Sequence, residues 1–342
     1  MFRKQIEHQL ERAWYGDAKW SRALAPLEAL YARSALKAKV RGQISANNSP
    51  LGIPVVVVGN ISVGGTGKSP VVVRLVKELK SRGYHPGILS RGYGAESEVH
   101  PRLVSSEDDA ARVGDEPLMM AASLPDTPVV VDRDRLRGAR YLKNEYQVDL
   151  ILCDDGLQHY ALPRDIEIVV LDAVRGLGNG HLIPVGPLRE SADRLKSVDY
   201  VLCNGPQSSL TEDLQALVSA GFSVQPRSWQ KVQSGQSMAL HEVGLSGAVL
   251  AVSAIGNPTR FHRTLEDLGL QPKPLVFADH HVFKAEELKS AAVESGLPLV
   301  MTAKDAVKCR SFAEPEWLAL QVEAELPDSF IDSLVKKLRA LK

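Results

Sequence analysis

The chain has 342 residues, of which 44% are hydrophobic, and its 41 Lys plus Arg balance 41 Asp plus Glu. This length predicts about two domains, and the composition is typical of a globular protein rather than a disordered or fibrous one. A formal net charge of zero gives no reason to expect a nucleic acid partner.

Cysteine usage and hydropathy limit the cellular compartments in which the protein is expected. The three cysteines, Cys153, Cys203 and Cys309, show no C-x-x-C spacing and are interpreted as reduced thiols in the core, which fits a reducing compartment. The first ten residues are polar and charged, so no signal peptide is expected. No apolar run is long enough to predict a transmembrane helix.

Residues 1–45 are predicted to be helical, with apolar side chains at three- and four-residue spacing. The apolar face comprises Leu24, Leu27, Leu30 and Tyr31. Residues 1–41 carry nine Lys and Arg against four Asp and Glu, and three aromatic residues lie nearby (Trp14, Tyr15 and Trp20). Such a pattern fits a helix on an anionic membrane surface and equally a helical lid on the protein's own core.

A turn at 47–50 is followed by short apolar runs rich in β-branched residues, which predict buried strands. These runs occupy residues 53–60, 86–94, 127–134, 148–156, 166–173 and 198–205. Helical patterns at 70–82 and 134–146 separate some of them. Alternating strands and helices predict an α/β fold, in which a parallel sheet is covered by helices on both faces.

The pattern changes after Gly205. Residues 222–232 and 236–243 predict two exposed strands, and a second α/β unit follows, with a helix at 259–268 and strand candidates at 248–258, 275–283, 297–308 and 317–326. The predicted organisation is a helical segment at 1–45, a P-loop NTPase-like domain at 46–220, a two-stranded linker at 221–245 and a smaller α/β domain at 246–342.

The segment that follows the first buried strand predicts a phosphate-binding loop. It reads Ser62, Val63, Gly64, Gly65, Thr66, Gly67, Lys68, Ser69. Strand, Gly-rich loop, Lys-Ser and helix occur in the order that a P-loop requires, with backbone N–H groups and Lys68 facing the phosphates and the Ser69 hydroxyl on Mg²⁺. The pattern usually begins with glycine, where Ser62 stands; serine fits there if its φ stays negative.

A P-loop enzyme also needs a carboxylate at the end of a neighbouring strand to organise Mg²⁺. Asp154 and Asp155 end the run at 148–156 and are the candidates, since two adjacent carboxylates require a cation or donors to balance them. A solvated acidic turn is the alternative interpretation. Asp172, at the end of the next run, is a weaker candidate.

Six further motifs accompany the loop in a fixed order. They are SRGYG (90–94), VGDEP (113–117), DDGLQH (154–159), GPLRE (186–190), ADHHVF (278–283) and MTAKDAVK (301–308). Together they closely resemble the tetraacyldisaccharide 4′-kinases, the lipid A 4′-kinases of Gram-negative bacteria. The resemblance covers about residues 54–308, and that family's loop often lacks its first glycine.

The resemblance implies two α/β domains joined by a two-stranded linker, with ATP in the cleft between them. It implies transfer of the γ-phosphoryl group of ATP, with Mg²⁺, to the 4′-hydroxyl of a tetraacylated glucosamine disaccharide 1-phosphate, which gives lipid IVA. Because four acyl chains do not sit free in water, we expect the enzyme to bind peripherally at the cytoplasmic face of the inner membrane. This expectation favours the membrane interpretation of residues 1–45.

The resemblance also implies residue roles. Asp115 is implied as the base and His280 as its partner, with His281 as the alternative; the predicted segments place Asp115 in one domain and His280 in the other, so that the pair would assemble on closure. Arg189 and Glu190 resemble cleft residues near the transferred phosphate or the sugar. From the residues themselves, Glu116 is a candidate additional metal or water ligand, and Arg91 is a candidate for bidentate contact with the substrate's phosphate. Gln158 and His159 follow the acidic pair and are expected to face the same cleft. Lys304 and Asp305 are kept as possible site residues.

The residue types alone also allow purely structural roles for these residues. Asp115 suits a helix N-cap before Pro117, Glu116 suits the first turn of a helix, and Arg189 with Glu190 suits a surface ion pair. Two other functions also remain: a P-loop kinase of another membrane glycolipid or polyprenol, and a nucleotide-driven switch or assembly ATPase.

Overall fold

The computed structural model describes the backbone of residues 2–95 and 99–341, with side chains from residue 9 onward. The strands are β1 Val55–Gly59, β2 Pro86–Ser90, β3 Arg102–Leu103, β4 Val129–Val131, β5 Leu150–Asp154, β6 Ile166–Asp172, β7 Tyr200–Asn204, β8 Ala220–Lys231, β9 Ser237–Ala239, β10 Gly247–Ser253, β11 Leu270–Val276, β12 Leu299–Thr302 and β13 Leu318–Glu325. The helices are α1 Phe2–Tyr15, α2 Ala25–Asn47, α3 Lys68–Ser81, α4 Ala110–Val113, α5 Asp115–Ser123, α6 Arg135–Tyr146, α7 Glu212–Gln215, α8 Pro258–Asp267, α9 Ala285–Ser295, α10 Ala303–Cys309 and α11 Asp328–Ala340.

The chain divides into two compact units, and neither is a single stretch of sequence. The first contains residues 1–91, 132–223 and 326–342; the second contains 92–131 and 224–325. The predicted segments 46–220 and 246–342 differ from this division at two places. Residues 92–131 join the second unit because α5 packs on α10, and the C-terminal helix α11 joins the first because it packs on α3.

The first unit is built on a parallel sheet with strand order β7, β6, β1, β5, β2. Its centre is the all-valine part of β1, where Val55 to Val58 are fully buried, which explains why this strand has no polar alternation. Helix α3 packs on β1, β2 and β5, and α6 packs on β2. The predicted parallel α/β fold is confirmed for this unit, and β1 delivers its carboxyl end to the phosphate-binding loop.

The second unit contains four parallel strands in the order β11, β10, β12, β13. Next to β13 lies β8, whose residues Ser228–Gln230 pair with β9 in an antiparallel ladder. Trp229 and Trp317 are 2% and 1% exposed and anchor the core on β8 and just before β13. Two exposed strands were predicted at 222–232 and 236–243; both exist, although β9 is only three residues long, and their role as a linker stays a prediction.

Helix α2 docks on the first unit through its polar face. Its Glu28 carboxylate accepts a hydrogen bond from the N–H of Leu182 at 2.7 Å, and the Tyr31 hydroxyl donates to the carbonyl of Arg189 at 3.0 Å. A Cβ on Gly42 would lie 2.6 Å from the Cβ of Tyr160, so the helix approaches the core closely where it has no side chain. This docking turns the apolar side chains of α2 away from the core.

The outward face of α2 is apolar and basic. Its large hydrophobic side chains are 48–62% exposed: Leu27, Leu30, Leu36, Val40 and Ile44. Arg33, Lys37 and Arg41 are exposed among them. Of the predicted stripe, Leu24 and Tyr31 are instead half-buried. No helix in the described part of the chain is long and apolar enough to cross a membrane.

Candidate active site

The predicted phosphate loop lies at the carboxyl end of β1 and leads into α3 at Lys68. Gly64 and Gly67 have φ of 104° and 100°, a region that favours glycine. At Gly67 the space is closed as well, because a Cβ would lie 2.5 Å from the amide nitrogen of Asn204. The loop therefore requires glycine at the residue before Lys68.

Ser62 occupies the usual glycine position without strain. The non-glycine residues with positive φ in the described chain are Gln147, Asp155 and His280, so Ser62 has no need of glycine's freedom. It is 4% exposed and forms a β-bridge with Leu188, while the N–H of Val63 donates to the carbonyl of Pro187 at 2.9 Å. The loop is thus clamped to the GPLRE segment where it leaves the strand.

Lys68 and Ser69 are the first two residues of α3, at the helix end that favours anions. Lys68 is 9% exposed, and its Nζ lies 3.7 Å from Oδ1 of Asp155. The carboxyl ends of β1 and the neighbouring β5 therefore bring a lysine and a carboxylate together. This lysine can neutralise phosphate oxygens held by the loop.

Asp154 and Asp155 lie at the end of β5. Asp154 is its last residue and is 1% exposed. Asp155 has a φ of 46° and accepts hydrogen bonds from Nη1 of Arg189 at 3.0 and 3.1 Å. Burial alone would raise the pKa of Asp155, but the charges of Lys68 and Arg189 lower it to about 2, so this carboxylate is ionised at neutral pH.

Three of the predicted cleft residues form one hydrogen-bonded group beside the loop. Nε2 of Gln158 donates to the carbonyl of Asn60 at 3.1 Å and to Glu190 at 2.8 Å. Nη1 of Arg189 also lies 3.3 Å from the side-chain oxygen of Gln158, and Tyr160 donates to Glu190. Arg189 and Glu190 are therefore not the isolated surface pair considered above.

His159 and Arg91 lie in the same unit. Burial, together with the charges of Arg135, Arg164 and Arg91, lowers the pKa of His159 to about 4, so the imidazole is neutral at pH 7. Arg91 follows β2 and is exposed. Their predicted contact with substrate stays a prediction.

The four metal candidates belong to two different units. Ser69, Asp154 and Asp155 belong to the first unit, whereas Glu116 belongs to the second, where it lies 3.2 Å from Nζ of Lys304. The described residues contain no cluster of three or more His, Cys, Asp or Glu able to hold a metal. The hydroxyl and carboxylate oxygens of the first three are the ligand type that Mg²⁺ prefers, and they fit a site completed by phosphate oxygens.

Asp115 and His280 are in contact. Nδ1 of His280 lies 3.1 and 3.0 Å from the two carboxylate oxygens of Asp115, and Asp115 is 6% exposed at the start of α5. Both residues belong to the second unit, so the pair forms within one unit, whereas the predicted segments had placed its members in two. The carboxylate also accepts the N–H of Glu116 at 2.9 Å, but the N-cap of α5 is Gly114 and no side chain caps the helix there, so the N-cap role considered for Asp115 is wrong.

Asp115 and His280 each shift the pKa of the other toward the charged form. Burial works against ionisation of Asp115, but the hydrogen bond from His280 and the charges of Lys304 and Lys308 lower its pKa. Burial likewise opposes the protonated form of His280, and the contact with Asp115 reverses this and raises its pKa. The result is an ionised, oriented carboxylate.

His280 is also conformationally distinct from its neighbour His281. Its φ of 60° is an uncommon backbone state for a non-glycine residue and costs of order 1–3 kcal/mol, and its ring lies 5.1 Å from that of Tyr93. His281 instead stacks on Phe277 at 4.6 Å and contacts Glu287 at 3.0 Å. The partner of Asp115 in the structure is therefore His280.

Helix α10 supplies two lysines to this pair. Nζ of Lys304 lies 3.8 Å and Nζ of Lys308 3.9 Å from Oδ2 of Asp115. Lys308 is held at 2.7 Å by the fully buried Asp305, which also accepts the N–H of Ala254 at 3.0 Å. Lys308 was not singled out from the sequence, although its four-residue spacing from Lys304 places both on one helix face.

Asp172, the weaker carboxylate candidate, has a local role. It ends β6, and its Oδ1 accepts the N–H groups of Val174 and Arg175 at 2.9 and 3.1 Å. This arrangement is a side-chain turn of the kind that Asp commonly forms, so the polar strand end at 172 shapes the chain there.

A parallel sheet whose first strand ends in this loop, with a paired lysine and carboxylate at its carboxyl edge, defines the class of P-loop nucleotide-binding proteins. Within that class, a sequence model of the tetraacyldisaccharide-1-P 4′-kinases matches residues 20–339. The chain belongs to this family.

Relatives with the same family name are similar to this chain over nearly its whole length. The tetraacyldisaccharide 4′-kinase of Aeromonas hydrophila is 46% identical over 335 residues, covering 97% of this chain and 96% of the relative. That of Pseudomonas aeruginosa is 45% identical over 329 residues, with 95% and 96% covered. The crystal structure of LpxK from Aquifex aeolicus in complex with ATP is 26% identical, with a TM-score of 0.71 over 94% of this chain and 99% of that one.

Proposed function

We propose that the protein is an ATP-dependent kinase that transfers the γ-phosphoryl group to the 4′-hydroxyl of tetraacyldisaccharide 1-phosphate, giving lipid IVA for lipid A biosynthesis. Membership of the tetraacyldisaccharide-1-P 4′-kinase family over residues 20–339 carries the proposal. In this proposal the phosphate loop supplies the ATP site and the Asp115–His280 pair supplies the general base.

The loop and the start of α3 bind the triphosphate of ATP in this proposal. Backbone N–H groups of the loop and the Lys68 ammonium face the phosphate oxygens. Ser69, Asp154 and Asp155 would hold Mg²⁺, which would neutralise phosphate charge when bound. Arg189 keeps Asp155 oriented through its two contacts of 3.0 and 3.1 Å.

Asp115 acts as the general base. A sugar hydroxyl is a weak nucleophile near pH 7, and a carboxylate within reach can accept its proton as the phosphoryl group transfers. His280 orients the carboxylate at 3.0 Å, and the lowered pKa of Asp115 keeps it able to accept a proton. Lys304 and Lys308 balance the charge of a carboxylate that is 6% exposed.

The outward face of α2 binds the membrane surface on which the substrate resides. A helix that directs Glu28 and Tyr31 to the protein while exposing Leu30, Leu36 and Ile44 has an apolar face for acyl chains and lipid. Arg33, Lys37 and Arg41 on that face attract anionic headgroups. The binding is peripheral, at the cytoplasmic face of the inner membrane.

Transfer of radiolabel from [γ-³²P]ATP to defined lipid acceptors tests the proposal. Tetraacyldisaccharide 1-phosphate is compared with a polyprenol and with an unrelated membrane glycolipid, in detergent and Mg²⁺. Label on the tetraacyl disaccharide alone supports the proposal. Preferential label on another acceptor makes the protein a different lipid kinase, and ATP hydrolysis that no acceptor stimulates makes it a nucleotide-driven switch.

A further inference from the structure

Two buried asparagines flank the phosphate loop. Asn60 follows β1 and is fully buried, and Asn204 ends β7 and is 3% exposed. Asparagine is seldom buried completely, and a buried amide requires hydrogen-bond partners. The partners of both amides are therefore informative.

Each amide donates to a carbonyl of the loop. Nδ2 of Asn204 lies 3.0 Å from the carbonyl oxygen of Thr66, and Nδ2 of Asn60 lies 3.2 Å from that of Gly64. The two carbonyls are two residues apart and lie on either side of Gly65. Asn204 also fills the space beside Gly67, where a Cβ would lie 2.5 Å from its Nδ2.

Carbonyl orientation matters because a phosphate cradle needs its N–H groups to point inward. A peptide unit is planar, with its N–H and C=O on opposite sides, so an N–H directed at an anion requires the adjoining carbonyl to point away. Outward carbonyls in a buried loop then need donors. Asn60 and Asn204 supply donors at two such carbonyls.

The side-chain oxygen of Asn60 gives further support to a role for its amide donor. It is buried and accepts no hydrogen bond from the residues that the structure describes. The backbone carbonyl of Asn60 accepts Nε2 of Gln158 at 3.1 Å, so its surroundings are ordered. The amide donor of Asn60 is thus retained at the cost of an unsatisfied acceptor, which is unfavourable unless the donor is needed.

We infer that Asn60 and Asn204 are positioning residues for nucleotide binding, which set the phosphate cradle by holding the carbonyls of Gly64 and Thr66 outward. The inference rests on the proposed function and adds two residues that the loop motif does not contain.

Replacement by aspartate separates donation from packing. Asn204→Asp and Asn60→Asp keep the side-chain shape and put an acceptor against each carbonyl, whereas the alanine variants remove the donor and leave space. Donation predicts that aspartate weakens ATP affinity about 10- to 100-fold, by the cost of an unsatisfied buried group, and that alanine weakens it less. A packing role predicts the reverse order.

The measurement is the dissociation constant of a fluorescent, non-hydrolysable ATP analogue with Mg²⁺, without lipid, so a protein that binds ATP but phosphorylates another acceptor still tests the inference. Steady-state kinetics should show a raised KM for ATP with little change in kcat at saturating ATP or in KM for lipid. Asn179→Asp is the matched control, because Asn179 donates to the carbonyls of Ala13 and Val185 at 3.1 and 2.9 Å and to none in the loop.

Unchanged affinity in both aspartate variants overturns the inference, as does a loss that the alanine variants exceed. Should an aspartate variant fail to fold by circular dichroism, Asn60→Leu or Asn204→Leu at that position decides, because leucine removes the donor while filling the space. A dissociation constant raised at least about threefold, the scale of a modest hydrogen bond, with a melting temperature near the wild type supports the inference. An unchanged constant contradicts it.

Discussion

Nδ1 of His280 lies 3.0 Å from Oδ2 of Asp115, although the residues are 165 positions apart in the chain. If this pair is the catalytic base and its orienting partner, Asp115→Asn should lower kcat by about 10²–10⁴, the usual contribution of general-base catalysis. ATP affinity should change little, because the phosphate loop is intact. Loss of ATP binding in this variant would instead make Asp115 a metal ligand.

Combining the two substitutions tests whether they act as a unit. His280→Gln alone should also lower kcat, and the double variant Asp115→Asn with His280→Gln should lose much less than the product of the two effects. His281→Gln is the matched control, since His281 contacts Glu287. Strictly multiplicative losses would mean that Asp115 and His280 act separately.

The same contact predicts a pH-dependent stability. Because the folded-state pKa of His280 is raised, protonated His280 stabilises the fold fully below its unfolded pKa of about 6.5, and this contribution is lost as pH rises through the folded value. The difference in unfolding free energy between wild type and His280→Gln, measured in urea, should therefore narrow from pH 6 upward. In an Asp115→Asn background this narrowing should be much smaller; an equal narrowing would assign the raised pKa to another group.

The phosphate loop gives opposite predictions at two positions. Lys68→Ala should lower kcat/KM by about 10³ or more, the scale of charge stabilisation in phosphoryl transfer. Ser62→Gly should retain activity, because Ser62 has no positive φ to relieve, and both its backbone bridge to Leu188 and the bond from the Val63 N–H to Pro187 need no side chain at position 62. Near-normal turnover in Lys68→Ala contradicts the ATP site, and loss of ATP binding in Ser62→Gly assigns Ser62 a direct role.

The outward face of α2 should govern membrane binding. Replacing Leu30, Leu36 and Ile44 with serine should weaken co-sedimentation with anionic liposomes at least about tenfold, since each apolar side chain contributes on the order of 1 kcal/mol or more. Added salt should weaken wild-type binding through Arg33, Lys37 and Arg41.

Exposed valines elsewhere supply the control for the liposome experiment. Val174 and Val293 are 66% and 82% exposed and lie outside α2, so Val174→Ser with Val293→Ser should leave sedimentation unchanged. An equal loss in that control, or a wild-type protein that never sediments with vesicles, contradicts the membrane role of α2.

The strands and the phosphate loop of the first unit were predictable because short stretches of sequence specify them. Four buried valines define β1, and Gly-Lys-Ser at a strand-to-helix junction defines the phosphate loop. Asp155 was predictable because parallel strands bring their carboxyl ends to one edge. Asn60 and Asn204 were missed, since a single asparagine at a strand end carries no signal until its partner carbonyl is known.

Packing between segments that are distant in the sequence was not predictable from local sequence patterns. The apolar stripe of α2 was visible, but which face is buried depends on the fit of Gly42 against Tyr160. Residues 92–131 join the second unit through packing of α5 on α10, and nothing within that stretch of sequence indicates it. The Asp115–His280 pairing came from resemblance to a family, because spacing alone does not connect residues so far apart.

Mass spectrometry of the lipid product tests the central claim most directly. Wild-type protein is incubated with ATP, Mg²⁺ and tetraacyldisaccharide 1-phosphate, with Lys68→Ala and Asp115→Asn in parallel, and the product is fragmented to locate each phosphate. The account predicts one added phosphate on the 4′-oxygen of the non-reducing sugar, formed by the wild type and strongly reduced in both variants. An unmodified lipid with ATP consumed, or a phosphate at another position, would contradict it.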